Sequence, residues 1–335
     1  MKKLSSALLL LFITLVLFTC GAWLLIKYEV VQFSITDQIL KKQSFKKAQR
    51  CDVKVLVLGD SQLEKWPMEH CLYKDMSNYF EEQDIGYVNA AHYGFGPIEY
   101  EDQLRKVLPD YTPDIILIYY YAGNDLTDVS YRVNKEPKKR TNQIVFNDSE
   151  EIKKEKEKRA RMADSFDWDL FEEKGIDPQI IQYAKNRIEN PHVIGPEYVN
   201  PHILAIGSLK HDNHYDNCTL DNVRSKYGWY ISLQRFEGIM KMADSIEAKV
   251  GLIVIPSNVQ VDTSHYSFYR KTKFNISDDL LFSNAPQKEL YDFSKASQIS
   301  YLDLLPYFKS YSNSEKLYFV NDDHLSEEGH LLACL

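Results

Sequence analysis

The sequence predicts an α/β fold with a doubly wound parallel sheet, preceded by an apolar N-terminal segment. Three observations lead there. Short apolar runs recur at 53–58, 87–89, 114–121, 250–255 and 300–302, and helix-like stretches at 66–83, 98–108, 230–248 and 287–297 alternate with them. The run Asp-Ile-Ile-Leu-Ile-Tyr-Tyr-Tyr at 114–121 is apolar enough for a strand covered on both faces. Parallel strands need long crossover connections, and alternating helices supply them on both sides of the sheet.

In chain order, the first segment stands outside this fold. From Leu4 to Ile26 there is no charged residue. About 23 residues rising 1.5 Å each span roughly 34 Å, enough for a hydrocarbon core of about 30 Å. A cleaved signal peptide has a shorter apolar core followed by small residues. Here Gly21-Ala22 runs on into Trp23-Leu24-Leu25-Ile26. The expectation is an uncleaved signal anchor over 1–27, a single-pass transmembrane helix with Lys2 and Lys3 cytoplasmic and the catalytic domain extracytoplasmic. A stalk over 28–50 follows, then a domain over 51–335 interrupted by an insertion at about 130–225. The insertion contains a run at 150–161 of alternating charges, read as a solvated helix. The rest of it lacks clear periodicity, and it is expected to cover the carboxyl edge of the sheet.

Composition narrows the function. The net charge is −8, which gives no footprint for nucleic acid. The five cysteines lack any Cys-x-x-Cys spacing; Cys20 lies in the apolar segment, and Cys51 and Cys71 flank the first strand closely enough to leave a disulfide open. His211, His214, Asp216 and Cys218 are metal-ligand types at a spacing that fits no ordinary zinc pattern, so that stretch is read as surface polarity and no metal or other cofactor is expected. Asn147, Asn217 and Asn275 begin Asn-x-Ser/Thr triplets.

Chemistry gathers at strand ends. The run 53–58 ends in Gly59-Asp60-Ser61, where open α/β sheets place ligands. Read alone, Ser61 is an ordinary helix cap. Asp322-Asp323-His324, near the other end, supplies what a serine nucleophile needs, a histidine to take its proton and a carboxylate to orient the ring. The second strand runs into Gly94 and the third into Gly123-Asn124-Asp125. Glycine backbone N–H and the asparagine amide are the donors an acyl-transfer oxyanion requires.

In that order, these blocks resemble the SGNH hydrolases, the GDSL-type esterases and lipases, over residues 51–335 outside the insertion. The resemblance implies a three-layer α/β/α sandwich of flavodoxin-like topology. It also implies a catalytic triad of Ser61, Asp322 and His324, and an oxyanion hole formed by the Ser61 N–H, the Gly94 N–H and the Asn124 side chain. Two departures stand out. Gln62 replaces the leucine of the GDSL name, a side chain that does no chemistry. Asn321 occupies the position where many members carry the acid, so the role passes to Asp322, in an Asp-x-His-Leu pattern similar to membrane-anchored branches. Asp323 is expected to diverge from the imidazole. The implied activity is ester hydrolysis through an acyl-enzyme, with an envelope glycan or lipid ester as substrate and the membrane as partner. O-acyl transfer to a sugar hydroxyl and an inactive assembly or binding role are the alternatives.

Overall fold

Lys54–Leu58 (β1), Gly86–Asn89 (β2), Ile115–Tyr121 (β3), Lys249–Ile255 (β4) and Ser300–Asp303 (β5) form one parallel sheet, ordered β2-β1-β3-β4-β5. The computed structural model describes residues 45–64, 68–129, 166–190, 193 and 195–334. The expected anchor over 1–27, most of the stalk, the charged run at 150–161 and Asn147 lie outside them. From residue 47 onward the described residues belong to one compact unit. No helix among the described residues is long and apolar enough to cross a membrane.

The helices around the sheet include Leu72–Glu82 (α1), Pro97–Val107 (α2), Trp168–Glu173 (α3), Pro178–Glu189 (α4), Pro201–Leu209 (α5) and Asn213–Thr219 (α6). They continue with Val223–Ser245 (α7), Asn258–Val261 (α8), Tyr266–Lys271 (α9), Ala285–Ser297 (α10), Leu305–Ser310 (α11) and Glu327–Cys334 (α12). The period of two in β3 divides them between two layers. Tyr119 and Tyr121 join Val55, Val57, Met76 of α1 and Phe308 of α11 in one core. Tyr120 points the other way, its ring 6.1 Å from Trp229 and 6.3 Å from Phe236 of α7. Phe236 in turn meets Phe293 of α10 at 5.8 Å. The sandwich therefore has the expected three layers. On the α7 side, Glu101 is only 7% exposed and binds Arg105 at 2.8 Å and Arg235 at 2.9 Å, tying α2 to α7.

Three expectations change. The first helix begins at Leu72 rather than near 66, since Cys71 just before it is extended (φ −153°) and breaks the helical run. The helix expected at 230–248 begins seven residues earlier, at Val223, where the Asn222 side chain accepts from the Ser225 N–H. Its first turns show Val223, Tyr227 and Tyr230 to solvent, which hides the usual apolar stripe. Last, the surface polarity expected over 211–218 holds only at its start, where His211 and Asp212 are exposed. His214, Asp216, Asn217 and Cys218 of α6 are buried, with His214 set against Tyr269 and Phe274 at 4.3 and 4.9 Å. Burial there pushes the His214 pKa down to about 3, so the ring is neutral. Cys51 and Cys71 stand as separate thiols.

Candidate active site

The strand order places the crevice between β1 and β3, where successive connections leave for opposite faces of the sheet. Immediately after β1, Ser61–Leu63 forms a single 3₁₀ turn whose cap is Asp60, not Ser61. The Asp60 carboxylate accepts from the Gln62 N–H at 3.0 Å. Ser61 is thus relieved of capping, and its hydroxyl is 2.7 Å from His324 Nε2. On the far side of the ring, His324 Nδ1 lies 2.7 Å from Asp322 Oδ1. Ser61, His324 and Asp322 therefore stand in one continuous relay.

His324 sits in a tight loop closed by backbone. The Phe319 N–H donates to His324 O and the Ser326 N–H to Leu317 O, both at 3.0 Å, around the antiparallel bridge of Tyr318 with Leu325. Behind it, Ser326 rather than the aspartates serves α12, its hydroxyl accepting from the Gly329 N–H. Asn321 faces away and donates to Pro196 O at 2.7 Å. Asp323 does not diverge as expected. The turn returns its Oδ1 to 3.4 Å from His324 Nδ1, so a second carboxylate stands near the same nitrogen.

Electrostatics separates the two acids. Burial works against an ionised Asp322, but the adjacent His324 overcomes it and holds the carboxyl well below the usual range. Burial dominates at Asp323, and the neighbouring Asp322 charge adds to it, so its pKa rises to about 7. For His324, burial lowers the pKa, but the Asp322 carboxylate, helped by Asp323 and Asp60, reverses this and lifts it to about 9. Asp60 itself is pushed up to about 6 by burial. Since the histidine pKa rises from 6.5, its stabilising effect is complete below pH 6.5 and is lost as pH rises through about 9.

The other two predicted residues reach the same edge by their own loops. The chain leaving β2 is held to β1 by His92 N–H donating to Gly59 O at 3.2 Å. Gly94 then adopts φ +67°, a left-handed conformation that a side chain would disfavour. Two residues on, a Cβ at Gly96 would meet Asp125 O at 3.0 Å, so this loop lies directly on the turn after β3. That turn carries Asn124, whose Oδ1 is buried without a hydrogen-bond partner among the described residues. An orphaned buried amide oxygen costs roughly 1–3 kcal/mol.

Asn217 is the residue that composition alone could not flag. It is 1% exposed, and its amide donates to Gly123 O and Asn213 O, both at 2.8 Å, while its oxygen accepts from the Thr127 N–H at 3.1 Å. It clamps the turn on which Asn124 sits. Its Asn-x-Thr triplet is therefore inaccessible in the folded chain. Asn217→Ala is expected to destabilise the protein by roughly 2–4 kcal/mol, since it orphans groups at both ends of the Asn124 turn. Urea unfolding checks this. A loss below about 0.5 kcal/mol, normal for a surface polar site, would contradict it.

Two cavities adjoin the relay. One of about 70 Å³ lies between Asn124 and Asp323, with Ile203 and His214 in its wall. The other, of about 450 Å³, opens beside Asp322 under Arg187, Tyr198 and Tyr318. Residues 166–225 contribute to both, so the described part of the expected insertion stands beside the site, and it is helical rather than irregular.

No family model and no curated protein matches the chain. Among solved structures it is similar to a lipase/acylhydrolase from Enterococcus faecalis, at 12% identity and TM-score 0.37, covering 84% of this chain and 91% of that one. It is also similar to a GDSL-like lipase from Bacteroides thetaiotaomicron, at 10% identity and TM-score 0.40, covering 90% of this chain and 95% of that one. TesA stands at 10% identity and TM-score 0.39, covering 84% and 93%. Likenesses this distant say nothing of chemistry.

Proposed function

We propose that this chain is a serine-dependent carboxylic ester hydrolase of the SGNH type. The observation that carries the reading is the pair of 2.7 Å contacts joining Ser61 Oγ, His324 and Asp322 in one line. In the proposed reaction His324 Nε2 takes the Ser61 proton as Oγ attacks the ester carbonyl. The oxyanion is met by the Ser61 and Gly94 N–H groups and the Asn124 amide. The same proton then passes to the leaving alcohol, and water deacylates the serine by the reverse route. Asp322, ionised throughout, keeps the ring in the tautomer with its proton on Nδ1. The uncharged 4–26 segment supports a membrane-anchored, extracytoplasmic placement, and with it an envelope glycan or lipid ester as substrate. An assembled relay argues against an inactive binding role.

The test is direct. A fluorophosphonate probe should label Ser61, located by peptide mass, and p-nitrophenyl acetate should be hydrolysed. Absence of both in a folded protein would overturn the reading. Because the base must be neutral and its pKa lies at about 9, log kcat/KM should climb with unit slope up to about pH 9 and level above it. A profile already flat between pH 6 and 8 would contradict the raised pKa, placing that of the base below about 6.

A further inference from the structure

We infer that Gln62 is a positioning residue for the proposed reaction, clasping the backbone on both sides of His324. Gln62 follows Ser61 in the same 3₁₀ turn and has no solvent exposure. Its Nε2 donates to Asp323 O at 3.1 Å, and its Oε1 accepts from the Leu325 N–H at 2.9 Å. The carbonyl before the histidine and the N–H after it are thus bound by the two ends of one carboxamide. Of the uncharged side chains of similar length, only glutamine carries both a donor and an acceptor at its tip. Leucine, whose place Gln62 takes, could make neither bond. A side chain that does no chemistry on the reacting atoms, as the place of Gln62 in the motif implies, can still hold the base.

The consequence is geometric. Ser61 and Gln62 share one turn, so Gln62 ties the turn of the nucleophile directly to the backbone around the imidazole, in addition to the bonds that close the 317–326 loop. The clasp is also asymmetric. Asp323 O receives a second hydrogen bond, from the Tyr121 hydroxyl at 2.7 Å, whereas Gln62 supplies the hydrogen bond found at the Leu325 N–H. Losing the acceptor end of Gln62 should therefore matter more than losing the donor end.

This inference rests on the proposed esterase activity, and two readouts keep them separable. Gln62→Met, which preserves length and removes both bonds, is expected to lower kcat on p-nitrophenyl acetate by about a hundredfold with KM within about twofold, the size of effect produced by misplacing a catalytic group by about 1 Å. The low-field ¹H resonance of the His324 Nδ1 proton on Asp322 should broaden or vanish in that variant. Phe236→Leu, a core change on the opposite face of the sheet, should lower the melting temperature yet leave kcat and that resonance as in the wild type. If Gln62→Met does not fold, Gln62→Glu keeps an acceptor for Leu325 and should reduce kcat by roughly tenfold, between the wild type and the full loss. Wild-type kcat in a folded Gln62 variant, or an unchanged His324 resonance, would overturn the inference. A wild-type protein inert towards every ester would instead sink the esterase reading, while the resonance would still decide what Gln62 does.

Discussion

Replacing Ser61 with alanine is expected to lower kcat on short esters by about 10⁵- to 10⁶-fold, with little change in melting temperature. The hydroxyl contacts His324 and carries no capping duty, which Asp60 performs, so its removal costs the fold almost nothing. What remains is the rate that oxyanion donors and binding can give to attack by water, about 10³- to 10⁴-fold over the uncatalysed reaction. The fluorophosphonate adduct should disappear with the activity. A variant retaining a tenth of wild-type turnover would mean that another group attacks the carbonyl.

Asp322→Asn should be nearly as damaging, at about 10⁴-fold in kcat, because an amide next to Nδ1 can select the wrong imidazole tautomer. It also removes the charge chiefly responsible for holding the His324 pKa at about 9, so the residual activity should level at a lower pH. Asp323→Asn is the informative partner. With a pKa at about 7 and a contact of 3.4 Å, Asp323 is a weaker, half-ionised neighbour near neutrality, and its loss should cost less than tenfold. If Asp323→Asn proves the more damaging, the acid assignment is reversed while the base and nucleophile stand. Measuring kcat against pH for both variants decides between them.

Most of the sheet could be read from the chain because its strands announce themselves locally. β1, β3 and β4 are apolar on both faces, and β3 carries three tyrosines that serve two layers in alternation. The site residues were legible for a related reason, since each follows a strand or sits in one short loop. What escaped reading depends on partners far away in sequence. Gln62 acquires its role from Asp323 and Leu325, and Asn217 from Gly123 and Thr127. Neither has a local pattern that distinguishes it from an ordinary polar residue. The burial of His214 likewise follows from Tyr269 and Phe274 packing over α6, and no periodicity in seven residues could reveal that. The return of Asp323 towards the imidazole is set by the closure of the 317–326 loop, not by side-chain type.

The separation of 263 positions between Ser61 and His324 gives the relay a place in time as well as in space. At roughly 5–20 residues per second, a ribosome needs about 13–50 s to go from one to the other. Throughout that interval the serine is an ordinary alcohol, because its base does not yet exist. On the proposed esterase reading, a nascent chain whose synthesis has not reached His324 carries no activated nucleophile to act on esters it meets along the way.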